Sequence, residues 1–457
     1  MRIVLIGFRG TGKSVIGRLL AQKMGFSFLD TDELIEAREE KKVSQIFSEK
    51  GERYFREVEK SIIAGLPQGE SVISTGGGAI LDSTNVEHLR SGSTIFLLTA
   101  DEDTIITRIQ KSNRPPLTGL SPEEEIRHLL HLRRPFYLKA ADYCLDTSNR
   151  EITHTVEDIL QIVKKGGAAI DDFSLLLEEV PALSPGDRQT FQERFSEPGL
   201  PLRICAVIGN PVSHSKSPAL FNALFARYHL PYRYIRMEST RVEKLLDLAR
   251  KRDLRGLSVT IPFKQDVLPL LDEVDITAQN IGAVNTVVQC GGVFYGYNTD
   301  WMGIRRPLDH LGGARAIVIG AGGAAAAAVY ACLDLGMQVT ILNRTKERGA
   351  SLARRFGCEF GALSDFKYLK ADVVINATPV GMHPDPTTPV PLEGLTSGMT
   401  VFDLVYTPPQ TPFLRAAREK GCYTISGVEM FLHQAREQFL LFTGISTPEA
   451  LIRGMMT

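Results

Sequence analysis

Two glycine-rich loops of different kinds constrain this chain more than any other feature. The first runs Gly7-Phe8-Arg9-Gly10-Thr11-Gly12-Lys13-Ser14, after a short apolar run, Ile3 to Ile6, and before a helical stretch. The second runs Gly320-Ala321-Gly322-Gly323-Ala324-Ala325, after Ala316 to Ile319, and opens an alanine-rich helix. Each arrangement sets backbone N–H groups and a helix N-terminus against phosphate oxygens. The first kind serves phosphoryl transfer, the second dinucleotide binding. A chain holding both is expected to do two jobs.

Length and composition leave room for that. At 457 residues the chain exceeds a single core, so two or three domains are expected. A net charge of −1 gives no reason to expect nucleic acid or an anionic membrane as partner. The six cysteines, at 144, 205, 290, 332, 358 and 422, form no CxxC pair. Their scatter favours reduced thiols in a cytoplasmic protein over disulfides or a zinc site. The apolar run at the N-terminus is too short for a signal peptide. Ala316 to Leu333 lacks any charge, but its glycines fall where a strand turns into a helix, so it reads as a buried strand–turn–helix unit rather than a membrane span.

Apolar runs alternate with helical patterns through residue 164, with further strands expected at Phe26 to Leu29, Val72 to Ser74, Thr94 to Leu98 and Tyr143 to Leu145. Alternation of this kind predicts a parallel sheet with helices on both faces. Pro/Gly-rich stretches place an inter-domain linker at 165–201, with Leu175 to Leu177 and the pair Phe191 and Phe195 able to dock as short helices. A second alternation starts at Ile204 and a third at Ala316, and the chain is helical from Gly427 onward.

The first loop matches the P-loop pattern: its amides, through Gly10, Thr11 and Gly12, cradle phosphates, Lys13 reaches the β and γ oxygens, and the Ser14 hydroxyl binds Mg²⁺. Asp30-Thr31-Asp32 ends a strand and offers acids for a metal and a substrate hydroxyl. Tyr54-Phe55-Arg56 follows an amphipathic helix. Gly76-Gly77-Gly78 lets a ligand lie on bare backbone. Arg114-Pro115-Pro116-Leu117 and Arg133-Arg134-Pro135-Phe136-Tyr137 add cations. Taken singly, each Arg or Asp reads as a solvated surface charge. In this order and spacing, over about residues 1 to 160, they resemble shikimate kinase. The resemblance implies ATP and Mg²⁺ on Lys13, Ser14 and Thr31, with Asp30 supporting the metal. It implies Asp32 orienting the attacking hydroxyl, Arg56 and Arg133 clamping the carboxylate, and Gly77 and Gly78 against the ring. Arg114 would close with a lid and Arg108 would stack near adenine. Pro116 stands where the family usually has leucine.

In the second loop Ala325 replaces the last glycine of the dinucleotide fingerprint. The next strand ends in Asn343-Arg344-Thr345, where an acid would select NAD; Arg344, helped by Arg348, favours the 2′-phosphate of NADP. Upstream, Ser213 and Ser215 lie where a helix should begin, a place that suits a substrate carboxylate. Lys264 follows a strand, and Asn285 and Asp300 bring an amide and an acid. A lysine beside an aspartate is a proton-transfer pair for an alcohol and a ketone. His214 is the competing base, but it reads as local structure because Lys264 and Asp300 make the better pair. NPVSHSKSP, SVTIPFK, GAVNT, YNTD, GAGGA, NRT, NATPVGM and GVEMFLHQA, across 203 to 457, resemble shikimate dehydrogenase. That implies Ser213, Ser215 and Tyr406 on the substrate carboxylate. It implies Thr260, Asn285, Asp300 and Gln434 on hydroxyls, and Lys264 as proton donor and acceptor. Gly320, Gly322, Gly323, Ala324, Asn343, Arg344, Thr345, Arg348, Thr378, Gly427 and Met430 would hold NADPH. Ser258 departs from the asparagine usual in bacterial members, keeping a hydrogen-bonding group but not the reach.

The expected fold is therefore α/β. A P-loop kinase domain at 1–164 precedes a two-lobed dehydrogenase, with a substrate domain at 202–305 completed by helices at 430–457 and a Rossmann NADP domain at 306–429. The expected activity is reduction of 3-dehydroshikimate with NADPH followed by phosphorylation of shikimate with ATP. By the family chemistry, the carbon reduced in the first step bears the hydroxyl phosphorylated in the second. Two alternatives stay open: a shikimate-binding regulator or fusion with one inactive half, and use of a related polyol such as quinate. Oligomeric state is not legible.

Overall fold

The computed structural model describes residues 1–110, 122–148, 150–165, 203–213 and 215–456. The expected linker, apart from Lys165, the Arg114–Leu117 stretch and His214 lie outside the described residues.

The first unit is a five-stranded parallel sheet in the order β2-β3-β1-β4-β5, with β1 (Arg2–Ile6), β2 (Ser27–Asp30), β3 (Ser71–Ser74), β4 (Ser93–Thr99) and β5 (Tyr143–Asp146). Its helices are α1 (Lys13–Met24), α2 (Thr31–Glu39), α3 (Val43–Ala64), α4 (Ser83–Arg90), α5 (Glu102–Gln110), α6 (Pro122–Ala140) and α7 (Ile152–Lys165). The unbroken apolar run of β1 is what a central parallel strand needs, since both of its faces are covered. Ile3 and Leu5 face one core, Val4 and Ile6 the other. Tyr54 to Arg56, expected after a helix, instead lie inside α3; the helix breaks at Gly51 (φ 78°, ψ 169°) and resumes before them. A glycine interruption of one turn does not end an amphipathic pattern whose apolar face stays buried.

The second unit is a mixed sheet, β7-β6-β8-β10-β11-β9. Its strands are β6 (Arg203–Gly209), β7 (Tyr232–Glu238), β8 (Gly256–Val259), β9 (Glu273–Val274), β10 (Thr286–Cys290) and β11 (Val293–Tyr297), with helices α8 (Ser217–Arg227), α9 (Val242–Lys251), α10 (Ile276–Ile281) and α11 (Asp300–Leu308). The third is parallel throughout, β14-β13-β12-β15-β16-β17. It comprises β12 (Arg315–Ile319), β13 (Gln338–Leu342), β14 (Glu359–Gly361), β15 (Val373–Asn376), β16 (Thr400–Asp403) and β17 (Tyr423–Ser426), with α12 (Gly323–Asp334), α13 (Lys346–Phe356) and α14 (Pro412–Glu419). This is the 3-2-1-4-5-6 order of dinucleotide-binding sheets, whose ligand lies where the order reverses, here between β12 and β15. The last helices, α15 (Gly427–Thr443) and α16 (Glu449–Met456), return to the second unit. Phe431, Phe439 and Phe442 of α15 pack there with Phe221, Phe225 and Tyr234.

The first and second units meet over a buried charged cluster. Arg90 donates to Asp142 Oδ1 (2.7 Å) and to the carbonyl of Ala140 (2.5 Å), and Tyr232 donates to the same carboxylate (3.1 Å). Arg203 donates to the Asp142 carbonyl and lies over the Tyr143 ring. Arg255 donates to the carbonyls of Leu138 (2.6 Å) and Phe442 (3.0 Å). Three guanidiniums thus gather around the buried Asp142 carboxylate; Arg203 also pairs with Asp253 (3.1 Å), and carbonyls in the last turns of α6 and α15 accept from Arg90 and Arg255. Helix C-termini carry unpaired carbonyls and partial negative charge, so cations are favourable there. Across the same contact Cys144 of β5 and Cys290 of β10 form a disulfide, their Cα atoms 5.3 Å apart. This corrects the expectation of six reduced thiols. Spacing along the chain carries no signal for a pair 146 residues apart; Cys205, Cys332, Cys358 and Cys422 are free.

Candidate active sites

The first glycine loop connects β1 to α1 in a conformation only glycine takes readily. Gly7, Gly10 and Gly12 have φ of 143°, 85° and 89°, and a Cβ on Gly7 would sit 2.3 Å from the Leu98 carbonyl. Lys13 Nζ bridges the carbonyls of Gly7 (2.8 Å) and Phe8 (2.9 Å). Ser14 donates to Asp30 Oδ2 (2.7 Å), so the hydroxyl and carboxylate expected to share a cation already face each other. Thr31 accepts from the Gly76 amide (2.9 Å) and so ties the Asp30–Asp32 stretch to the glycine triplet. A cavity of about 570 Å³ opens beside the loop, lined by Thr11, Gly12, Arg108, Thr147 and Arg150 among others. That is the size of a pocket for a small organic ligand. Arg108 donates to the carbonyls of Gly10 (3.2 Å) and Thr147 (2.9 Å), which holds its guanidinium at the cavity wall.

Around the triplet, Asp32, Arg56 and Arg133 converge. A Cβ on Gly76 would meet Asp32 Oδ1 at 2.6 Å, and one on Gly78 would overlap the Arg56 guanidinium. The Gly77 carbonyl accepts from Tyr137 Oη (2.5 Å) and makes a long contact with Arg133 Nη1 (3.5 Å). Burial pushes the Tyr137 hydroxyl up to about 12, so it stays a neutral donor. Sequence reasoning overlooked Glu59. It is buried, accepts from Arg56 (2.8 Å) one helical turn earlier, and burial raises its carboxyl despite that guanidinium. The i,i+3 spacing on one helix was the available signal. Arg114 lies outside the described residues.

In the second site, Lys264 follows β8 and Asp300 opens α11. Lys264 Nζ donates to Asp300 Oδ2 (2.5 Å), and Asn285 Nδ2 donates to Asp300 Oδ1 (2.7 Å). Asn285 Oδ1 accepts from the Thr299 amide (2.7 Å) and the Thr286 hydroxyl (2.8 Å), so the orientation of the amide is set. The Lys264 carbonyl accepts from the Val284 amide (2.7 Å), which pins the lysine backbone to the segment that runs through Asn285 into β10. Gly323, at the start of α12, lies so close that a Cβ there would be 3.0 Å from that of Lys264. The glycine loop of the third unit therefore stands directly against the Lys–Asp pair of the second.

The remaining predicted residues lie on loops and helices of the second and third units. Ser215 is buried, accepts from the Ser217 amide (3.3 Å), and its carbonyl accepts from Arg236 (2.7 Å); Ser213 is exposed two residues earlier. Tyr406 stands against the ring of Phe431 with centroids 5.1 Å apart. Gln434 donates to the Phe431 carbonyl (3.1 Å), and Thr260 approaches Gly209, whose Cβ would lie 2.5 Å from its methyl. At the cofactor loop, Gly320 has φ 121°, a Cβ on Gly322 would meet open space, and Ala324 is half-buried in the first turn of α12. Asn343 donates to the Thr345 carbonyl (2.7 Å), with Arg344 and Arg348 exposed beyond it. Thr378 donates to Asn376 Oδ1 (2.7 Å), and Asn376 donates to Asp403 (2.9 Å), whose carboxyl burial raises to about 6. Gly427 lies against the Leu404 carbonyl, and Met430 packs beneath α12.

Ser258 shows how its shorter reach is made up. Its hydroxyl accepts from Tyr234 Oη (2.5 Å) and donates to Gln438 Oε1 (2.7 Å), while Gln438 Nε2 donates to Thr286 Oγ1 (2.9 Å). Gln438 was not singled out in the sequence. It lies one turn beyond Gln434 on the buried face of α15.

The fold and the two sites define the class: a P-loop phosphotransferase unit joined to a two-domain NAD(P)-type dehydrogenase. Residues 9–164 match the shikimate kinase family, 207–287 the shikimate dehydrogenase substrate binding domain, and 304–383 the shikimate/quinate 5-dehydrogenase family. Shikimate dehydrogenase (NADP(+)) of Pyrococcus furiosus is 40% identical over 257 residues, covering 55% of this chain and 94% of its own. The structure of shikimate 5-dehydrogenase from Thermus thermophilus with NADP(H) and shikimate matches at TM-score 0.52 and 35% identity, covering 56% of this chain and 98% of that one. Quinate dehydrogenase from Corynebacterium glutamicum with NAD matches at TM-score 0.52 and 34% identity, with the same two coverages. This chain belongs to the shikimate dehydrogenase family and carries a shikimate kinase domain ahead of it.

Proposed function

We propose that the chain is a bifunctional enzyme of the shikimate pathway that reduces 3-dehydroshikimate and then phosphorylates the shikimate formed. The observation that carries this reading is the Lys264–Asp300 pair standing against Gly323, in a chain whose first glycine loop lies against Gly77, with Asp32, Arg56 and Arg133 around the glycine triplet. The division proposed is 1–164 for the kinase, 202–305 with 430–457 for the dehydrogenase substrate domain, and 306–429 for the NADP domain. The three sheets support it.

In the reductase, NADPH supplies the hydride when bound. Lys264 delivers a proton to the carbonyl oxygen that becomes the hydroxyl, and Asp300 keeps the ammonium oriented. Asn285, Thr260 and Gln434 hold ring hydroxyls; Ser213, Ser215 and Tyr406 hold the carboxylate. Arg344 and Arg348 would bind the 2′-phosphate, and Gly320, Gly322, Gly323, Ala324, Asn343, Thr345, Thr378, Gly427 and Met430 would hold the rest of the cofactor. In the kinase, Mg·ATP supplies the phosphoryl group when bound. Asp32 accepts the proton of the attacking hydroxyl, and Arg56 and Arg133 clamp the carboxylate. Gly77 and Gly78 let the ring approach, and Gly10, Thr11, Gly12, Lys13 and Thr31 hold the phosphates. Ser14 and Asp30 would hold the metal, Arg108 would flank the adenine, and Arg114, outside the described residues, would neutralise charge on the transferring phosphoryl group. Positioning and charge neutralisation are what this chemistry requires. Small molecules are the only partners in this reading, and a cytoplasmic location suits an enzyme that draws on both ATP and NADPH.

The purified protein, given 3-dehydroshikimate, NADPH and ATP, is expected to yield shikimate 3-phosphate. Accumulation of shikimate without phosphorylation, or no NADPH oxidation, would leave one half inactive and overturn the bifunctional reading. The quinate dehydrogenase likeness favours one further activity, minor quinate oxidation, which a kcat/KM comparison of the two polyols decides.

A further inference from the structure

We infer that the dehydrogenase half completes the kinase's shikimate site, with Arg134 as a positioning residue for Arg133. The inference rests on the reading of Arg133, Gly77 and Asp32 as that site.

Helix α6 carries both functions on neighbouring residues. Arg133 and Tyr137, four apart and so on one face, both reach the Gly77 carbonyl. Pro135 stands between them inside the helix. Proline has no N–H to donate to the carbonyl four residues back, and its ring crowds that carbonyl. The helix therefore lacks one backbone hydrogen bond at the turn that carries Arg133, where contacts from outside the helix add to its aim.

Those contacts come from outside the kinase. Arg134 Nη2 donates to Glu273 Oε1 (2.6 Å) and to Tyr295 Oη (3.2 Å), and its guanidinium lies over the Tyr295 ring, 5.3 Å from the centroid. Beyond the proline, Arg255 donates to the Leu138 carbonyl (2.6 Å). The last turn of α6 rests on Gly444, whose Cβ would lie 2.8 Å from the Lys139 carbonyl. Glu273, Tyr295, Arg255 and Gly444 all belong to the dehydrogenase half. Tyr295 is on β11, the strand that leads into Asn298, Thr299 and Asp300. One latch thus joins the residue next to the kinase's carboxylate clamp with the strand entering the dehydrogenase's catalytic turn. Arg134 and Glu273 are about half exposed, at 51% and 43%, so the pair adds little to stability and its loss leaves the fold standing.

The test is steady-state kinetics on the full chain. Arg134→Ala and Glu273→Ala should each raise the kinase KM for shikimate about two- to fivefold, the size of a half-exposed ion pair read as affinity. Kinase kcat, the KM for ATP and dehydrogenase kinetics should hold. The double variant should be no worse than either single one, because both remove the same contact, and Arg134→Lys should recover part of the loss. An unmoved shikimate KM in both single variants, in a protein that does phosphorylate shikimate, overturns the inference alone. Equal losses in both KM values with a lowered melting temperature also overturn it, because they mark a structural role. A parent protein that does not phosphorylate shikimate overturns the functional reading and this inference with it.

Discussion

Single residues carry the sharpest consequences of the two sites. Lys264 has one acidic partner, Asp300, at 2.5 Å, and a backbone pinned by Val284. Lys264→Ala should therefore lower dehydrogenase kcat by about 10²–10⁴-fold, the range for losing a general acid, and leave the kinase untouched. A dehydrogenase kcat equal to the parent's would remove Lys264 from the chemistry. Arg344 is exposed at the end of β13, where charge decides between the 2′-phosphate and the 2′-hydroxyl. Arg344→Asp should weaken NADPH far more than NADH, as measured by the ratio of the two KM values; an equal loss for both would show that Arg344 does not read the phosphate. These residues were legible because their chemistry is written in short strings. Glu59 and Gln438 were not, because each acts on a residue that the string already names.

At the scale of elements, glycines set how closely helices approach. A Cβ on Gly303 of α11 would lie 2.7 Å from the Met430 carbonyl of α15 and 3.2 Å from Gln434 Cβ. Asp300 opens α11, and Met430 and Gln434 face that helix from α15. Gly303→Ala must push backbone against backbone, at a cost of about 1–3 kcal/mol. It should lower the melting temperature and the dehydrogenase kcat together, with kinase kcat retained at temperatures where the fold holds. A stable variant with full dehydrogenase activity would show that the two helices can separate without disturbing Asp300. The parallel sheets were legible from apolar alternation, whereas the break in α3 at Gly51 was not, because the apolar face continues across it. The mixed strand order of the second sheet was not legible either, since alternation does not distinguish a parallel neighbour from an antiparallel one.

At the scale of the whole molecule, Asp142 is the one carboxylate that answers Arg90 at the interface and holds Tyr232 with it. Burial alone would raise its carboxyl, but the guanidiniums of Arg90 and Arg203 outweigh that and hold it below the usual carboxylate range. A depressed carboxyl stabilises the fold above the unfolded value, about 4, and that stability is lost as pH falls through the lower folded value. Asp142→Ala should cost about 3–5 kcal/mol near pH 7, the cost of leaving buried charge unpaired. The difference from the parent should shrink as pH falls below about 4. Urea unfolding of the reduced protein at several pH values measures this. A difference that stays constant with pH would mean that Asp142 acts by packing and not by charge.

The sequence alone located the two glycine loops, the lysine and aspartate that pair in the structure, and the cations beside the glycine triplet. Phosphate binding, proton transfer and cofactor charge each demand particular residue types at short spacings, and short spacings survive in a string. Only the tertiary structure decided how the halves meet. The Cys144–Cys290 bond, the guanidinium cluster at the ends of α6 and α15, and the Arg134 latch join residues from about 50 to nearly 190 positions apart. Such contacts depend on which helix ends and strand edges the packed units bring together, and no local pattern encodes that.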